Sequence, residues 1–313
     1  LDLFPADGKH KITQRIGLGD QPRRKGSGLV TLRPRLRNAI AFGVAALVLA
    51  TDASSNPTQA QGKLEARFEA TLGGLPLGKG AMVIDVRDDQ FSATVSGSTT
   101  GLVQVIAGGR GRSAVTGTIS GGQPVAAAYA SSIITGKKVD EVRMLMSGGT
   151  VKEFIAEPPT MPSPDRVPLT EAHRRNVTDP MTAAILRAPG NGNTFSPEVC
   201  KRTLSIFDGR MRYDLQLAFK RLETVKSERG YQGNVVVCAV YFAPVAGHIP
   251  GRPVIKYLIS QRDAEMWLAP IAGTRLMVPY RLSIPTPLGL AMVQASEFMS
   301  MPQAASRNGI RSH

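Results

Sequence analysis

The sequence is short of the residues that most specialised chemistries require. It holds two cysteines, four histidines and one tryptophan in 313 residues. Two cysteines exclude a cysteine-rich scaffold, a four-cysteine zinc site and a cysteine-ligated iron–sulfur cluster. Aromatics make up 5%, too few to interleave with basic residues as a stacking platform for nucleic acid. No apolar run approaches the roughly 20 residues of a membrane-spanning helix. Acidic residues are the scarcer sign, 24 Asp+Glu against 38 Lys+Arg, for a formal net charge of +14. What is plentiful is glycine (32), proline (22) and apolar residues (42%). That balance, at this length, specifies a folded chain with a sizeable core.

The longest apolar run, Ala39 to Ala50, follows Arg33, Arg35 and Arg37 and precedes small polar residues. A positive stretch, a short apolar stretch and small residues describe a secretory signal peptide, with cleavage after Ala53 or Ala60. Residues 1–60 therefore read as leader and signal peptide, and the mature chain as periplasmic, with no transmembrane span. The first methionine is Met82, so a start near Leu29 or Val30 is expected, with 1–29 a mis-assigned extension. The leader carries +5 of the charge, residues 61–157 carry +1 and residues 158–313 carry +8.

From residue 61 the pattern has period two. Leu64, Ala66, Phe68, Ala70 and Leu72 alternate with Glu65, Arg67, Glu69 and Thr71, the signature of a half-buried antiparallel strand. Similar runs cover 81–87, 90–97, 112–119, 124–134, 138–147 and 150–156, separated by Gly and Asp pairs that suit hairpin turns. The segment 100–107 reads either as a helical turn or as an edge strand. Five prolines in 158–168 mark a linker. Asp179-Pro180 opens a helix over 180–187, and Ser196-Pro197 repeats that signal. Strands resume over 211–219, 234–243, 264–269, 275–284 and 290–299, with 253–260 ambiguous between helix and strand. Val235–Ala239 is apolar on both faces, which makes 234–243 a central strand. The expectation is an all-β fold. A curved antiparallel sheet closes into a half-barrel or barrel, with a few short helices around the linker. It is one β domain over 61–313, with halves 61–157 and 169–300 joined by the linker 158–168.

Motifs for chemistry are weak. Gly73–Gly80 nearly matches a phosphate-binding loop, but Gly80 replaces the Ser/Thr and a strand follows where a helix should open. Gly109–Ala114 fits a loose dinucleotide fingerprint, yet it too runs into a strand. His173 and His248 have no helix-spaced partner for a metal. The basic residues beside Tyr213 and Phe219 fall on the opposite side of their strand, which argues against nucleic acid. Export makes Cys200 and Cys238 candidates for a structural disulfide. Two reduced core thiols and a redox pair are the alternatives, the last disfavoured by a separation far from C-x-x-C. No catalytic, metal or cofactor-binding residue is identified.

Ala66-Arg67-Phe68-Glu69-Ala70 followed by Gly73-Gly74-Leu75-Pro76-Leu77-Gly78 resembles the opening of the exported bacterial family known as domain of unknown function 3108 (DUF3108). Asp208–Tyr213 resembles its midpoint. Met266-Trp267-Leu268, Val278-Pro279-Tyr280-Arg281 and the Gly289 hairpin resemble its end. The segment after Trp267 departs, reading Leu-Ala-Pro where the family usually has an acidic turn residue. The resemblance spans about residues 62–300. It implies a periplasmic, curved antiparallel sheet similar to the half-barrels of lipoprotein carriers, with Trp267, Pro279 and Arg281 as family-motif or ligand-face residues.

The expected function is non-enzymatic: cell-envelope maintenance through a hydrophobic or amphipathic ligand, such as a lipid, held on the curved sheet. Met266, Met277, Met292 and Met299 are expected to line it as adaptable apolar residues. The alternatives are an interaction module that contacts an envelope protein, and a hydrolase of wall or lipid substrates.

Overall fold

The computed structural model describes residues 61–87, 89–101 and 108–303, all within one unit spanning Pro57–His313. The leader, its cleavage sites and most of the ambiguous segment 100–107 lie outside the described residues.

Period-two alternation becomes strands wherever it was found. The first half forms β1 (Gly62–Leu72), β2 (Leu75–Arg87), β3 (Gln90–Thr99), β4 (Gly109–Ser120), β5 (Gln123–Thr135), β6 (Lys138–Ser147) and β7 (Thr150–Glu157). The second half adds β8 (Leu186–Arg187), β9 (Arg202–Phe207), β10 (Arg212–Lys226), β11 (Arg229–Gly230), β12 (Gln232–Ala246), β13 (Glu265–Pro270), β14 (Leu276–Thr286) and β15 (Gly289–Pro302). Two α-helices interrupt it, α1 (Pro180–Ala183) and α2 (Pro253–Ser260). The helix expected over 180–187 stops after one turn. The backbone of Leu186 and Arg187 is instead taken by a ladder to Met277 and Leu276. The ambiguous 253–260 is helical, opened by Pro253 at its first position.

One sheet contains every strand of the described residues. Its order is β7-β6-β5-β4-β3-β2-β1-β15-β14-β13-β12-β10-β9, with β11 beside β15 and β8 beside β14. The chain thus meanders outward, and its last strand returns to pair with its first, Ala66 opposite Phe298. The sheet is not closed: no ladder joins β7 to β9. The segment after the linker, residues 175–178, seams that gap instead through isolated bridges to Thr150 and Ile206. Val177 N–H donates to Gly149 O (2.8 Å) and Phe207 N–H to Thr178 O (2.9 Å). Phe154 of β7 meets Phe207 of β9 edge-on at 5.4 Å, and Arg210 reaches Asp140 of β6 at 3.0 Å.

Two buried clusters lie on opposite faces of β12. Val235 and Val237 join the larger, with Leu64, Ile84, Phe91, Val115, Tyr280 and Phe298. Val236 and Cys238 join the smaller, with Leu186, Val199, Cys200, Leu268 and Met277. This is the sheet's central position expected from its doubly apolar sequence. Cys200 and Cys238 form a disulfide inside the smaller cluster.

Asp179 is a costly residue to bury in this packing. It is fully buried and caps α1, accepting from Met181 N–H (2.9 Å) and Thr182 N–H (3.0 Å) through Oδ1, while Oδ2 has no partner. Burial raises its pKa, and the hydrogen bonds from Thr182 and Met181 offset this only in part. The folded state therefore holds this proton to higher pH than the unfolded chain does. Its contribution to stability is greatest below the unfolded carboxyl pKa and declines as pH rises toward the folded one. Asp179→Asn keeps the capping oxygen and cannot ionise. Its stability relative to wild type, from denaturant melts, should rise as pH climbs above the unfolded carboxyl pKa of about 4. Parallel pH profiles for the two proteins would count against this account.

Candidate functional site: a glycine-floored groove

Side chains on the inner face of the first-half strands shrink along each strand. β2 runs Val86, Ile84, Met82, Gly80, Gly78, and β3 runs Phe91, Ala93, Val95, Gly97, Thr99. β4 runs Val115, Ser113, Gly111, Gly109. The large ends interlock as the main core. At the small ends, register aligns the glycines: Gly80 sits opposite Gly97, and Gly97 opposite Gly111. Phe68 flanks this row on β1 and Ile133 on β5. No side chain rises from its floor.

The result is a groove of about 640 Å³. Phe68, Met82, Val95 and Ile133 form one wall, and Pro279, Leu282 and Val293 form the other, with Ala184 beside α1. Two of its polar groups are satisfied locally, while the buried Nε of Arg281 has no hydrogen-bond partner. Gly109 N–H donates to Thr99 Oγ1 (2.9 Å), and Ser113 Oγ donates to Ser131 Oγ (2.9 Å). The alternating residues Lys79, Ser98, Arg110 and Arg112 border the groove too but belong by alternation to the opposite face, where a second depression of about 770 Å³ is lined by charges.

The glycines are not equivalent. A Cβ on Gly78 would meet Ser98 O at 2.5 Å, and one on Gly80 would meet Ser96 O at 2.9 Å, so neighbouring backbone requires glycine there. A Cβ on Gly97 would come no nearer than 3.4 Å and one on Gly111 no nearer than 3.6 Å. The fold would accept a side chain at Gly111. Its absence there keeps the groove open.

The sequence-predicted residues separate. Pro279 and Arg281 line the groove; Trp267 does not. Trp267 is buried, and its indole N–H donates to Glu223 at 2.6 Å. The guanidinium carbons of Arg281 and Arg221 lie 4.9 Å and 5.6 Å from its ring centre. Arg221 also holds Glu265 bidentately at 3.0 and 2.9 Å. Burial opposes ionisation of Glu223, but the hydrogen bonds from Trp267 and Arg221 hold it below the usual carboxylate range. Hydrogen bonding to Arg221 does the same for Glu265. This cluster fixes β10 to β13 and β14 through paired charges. The four methionines are also elsewhere. Met266 and Met277 are buried in the disulfide cluster, and Met292 and Met299 are not among the lining residues.

Gly73–Gly80 is a hairpin and the start of β2, not a phosphate loop, and Gly109–Ala114 is a strand. Among the described residues no three His, Cys, Asp or Glu side chains converge to hold a metal ion, and no helix is long and apolar enough to cross a membrane.

The motif residues now have positions. Asp208 accepts from Arg210 and Met211 N–H (2.8 and 2.6 Å) in the β9–β10 turn. Gly209 packs so closely on Val142 that a Cβ would lie 2.4 Å from it. The family described as protein of unknown function DUF3108 matches residues 67–296, from β1 to β15. The chain belongs to the DUF3108 family. Among solved structures, this DUF3108 chain is similar to a β-barrel-like protein of domain of unknown function DUF1849 from Brucella abortus. Identity is 6% and the TM-score 0.41, over 78% of this chain and 98% of that chain. No curated protein matches it.

Proposed function

We propose that this DUF3108 protein works in the bacterial periplasm as a non-enzymatic binding protein. In this reading it holds the hydrocarbon part of a hydrophobic or amphipathic envelope component in the glycine-floored groove. The observation that carries the reading is Gly111. It is a position where the fold tolerates a side chain, yet the floor is left bare between Phe68 and Ile133. The groove's volume falls within the roughly 300–1,000 Å³ of small-molecule sites. Its apolar walls and locally paired hydroxyls suit a chain of methylenes. The signal-like leader and the buried disulfide fit export.

Native mass spectrometry of protein purified from cells without detergent tests this. The expected spectrum shows added mass that organic extraction removes and identifies as lipid. A bare polypeptide that also fails to take up a fluorescent fatty acid would end the proposal.

A further inference from the structure

We propose that the protein docks on an anionic lipid bilayer through one end of the sheet, where three elements meet. These are the β1–β2 turn, the β14–β15 turn and helix α2. Gly73 N–H donates to Leu290 O at 2.9 Å, which ties the two turns together. Tyr257 Oη and Gln261 Nε2 donate to Pro285 O at 2.9 and 3.3 Å, which ties α2 to the second turn. Each element places large apolar side chains in solvent. Leu75 is 72% exposed, Leu288 79% and Val254 59%.

A single exposed leucine is ordinary on a soluble protein. Such residues gathered on three contacting elements form a patch that needs an occupant. The charges around it select that occupant. Arg252, Lys256 and Arg262 flank the patch on and beside α2, with Asp263 the only acid in 252–263. None of the three cations forms an ion pair among the described residues, although Arg262 donates to the carbonyls of Ile259 and Gln261 and lies over the Tyr241 ring. Residues 284–292 carry no charge at all. Apolar tips bordered by cations without an acidic partner match the two layers of an anionic membrane, acyl boundary and headgroup.

The orientation rests on the groove reading. Leu77 and Val293 line the groove and follow directly from the two turns, so docking would turn the groove's mouth toward the bilayer that supplies its ligand.

Hydrogen exchange of the purified full chain tests this, with and without phosphatidylcholine–phosphatidylglycerol vesicles. Because the readout is local, it is independent of the apolar leader. Slower exchange at 72–77, 252–262 and 286–291, lost in pure phosphatidylcholine and at high salt, is expected. The Leu75→Ser/Leu288→Ser variant should lose that protection and bind vesicles at least about tenfold more weakly. Unchanged exchange at all three segments, or an unaffected double variant, overturns the docking surface. A copurifying lipid without vesicle protection would leave the groove reading standing and remove this one. Protection of the tips in a protein with an empty groove would do the reverse.

Discussion

Replacing Gly111 with phenylalanine should leave the protein folded and the groove unable to hold a chain. The new Cβ would lie 3.6 Å from Ile133 Cγ1 and 3.8 Å from Ser132 O, both ordinary contacts. Phenylalanine also suits a strand better than glycine does, so local propensity favours the change. The ring would project over Gly97 and Gly80, the bare floor between Phe68 and Ile133. Apolar ligands fill such grooves at roughly 0.8 kcal/mol per buried methylene. Displacing three or four methylenes therefore costs on the order of 3 kcal/mol, about a hundredfold in affinity. Thermal melts should match wild type, while copurified lipid and fatty-acid uptake fall by that factor. Gly80→Phe should behave differently, because its Cβ would meet Ser96 O at 2.9 Å; that variant is expected to lose stability as well as ligand. Equal lipid content in Gly111→Phe and wild type would show that the groove is not the binding site.

This contrast also shows what could be read from the sequence. Strand positions were visible because Leu64, Ala66 and Phe68 alternate with charged neighbours, and core burial amplifies that period. The centrality of 234–243 was visible because both of its faces are apolar. The groove was not visible, because Gly97 carries no local signal and the other glycines carry a misleading one. Gly80 and Gly109–Gly111 stood out as fragments of phosphate and dinucleotide loops, local motifs that the following strands rule out. Their meaning lies across strands. Part of it could have been found: a turn at Asp88-Asp89 pairs Arg87 with Gln90 and so places Gly80 opposite Gly97. The link from Gly97 to Gly111 passes through a longer connection, whose length does not fix register. Trp267 shows the opposite difficulty. It stands out as the only tryptophan, but its position is set by Glu223 and two arginines that come from other strands. Arg281 combines both roles, since it lines the groove and stacks on Trp267.

Removing the disulfide should cost the protein more stability than any single polar contact in it. Cys200 and Cys238 are separated by 38 residues, and closing a loop of that size in the unfolded chain contributes about 4 kcal/mol in the loop-entropy model. That is a large share of the roughly 5–15 kcal/mol by which domains are stable. The loss should have a location. Residues 188–200 contain no strand and only one short turn of helix, so few ladder hydrogen bonds hold them. Arg275 holds part of the segment, donating to the carbonyls of Pro189 and Gly192 at 3.0 and 2.9 Å, and the disulfide anchors its far end. Without that anchor, Val199 and Phe195 should leave the cluster that backs Met277 and Leu268. Those two residues support β14, whose Pro279 and Leu282 form the groove's second wall. The Cys200→Ala/Cys238→Ala variant should therefore show a urea-derived stability about 4 kcal/mol lower and faster hydrogen exchange over 188–200 than over β1–β5. It should also lose lipid more readily than an equally destabilised variant whose altered residue lies away from the groove walls. Reductant should reproduce these effects in wild type and add nothing in the variant. A difference below about 1 kcal/mol would mean that the packing of the smaller cluster, rather than the covalent bond, holds that segment in place.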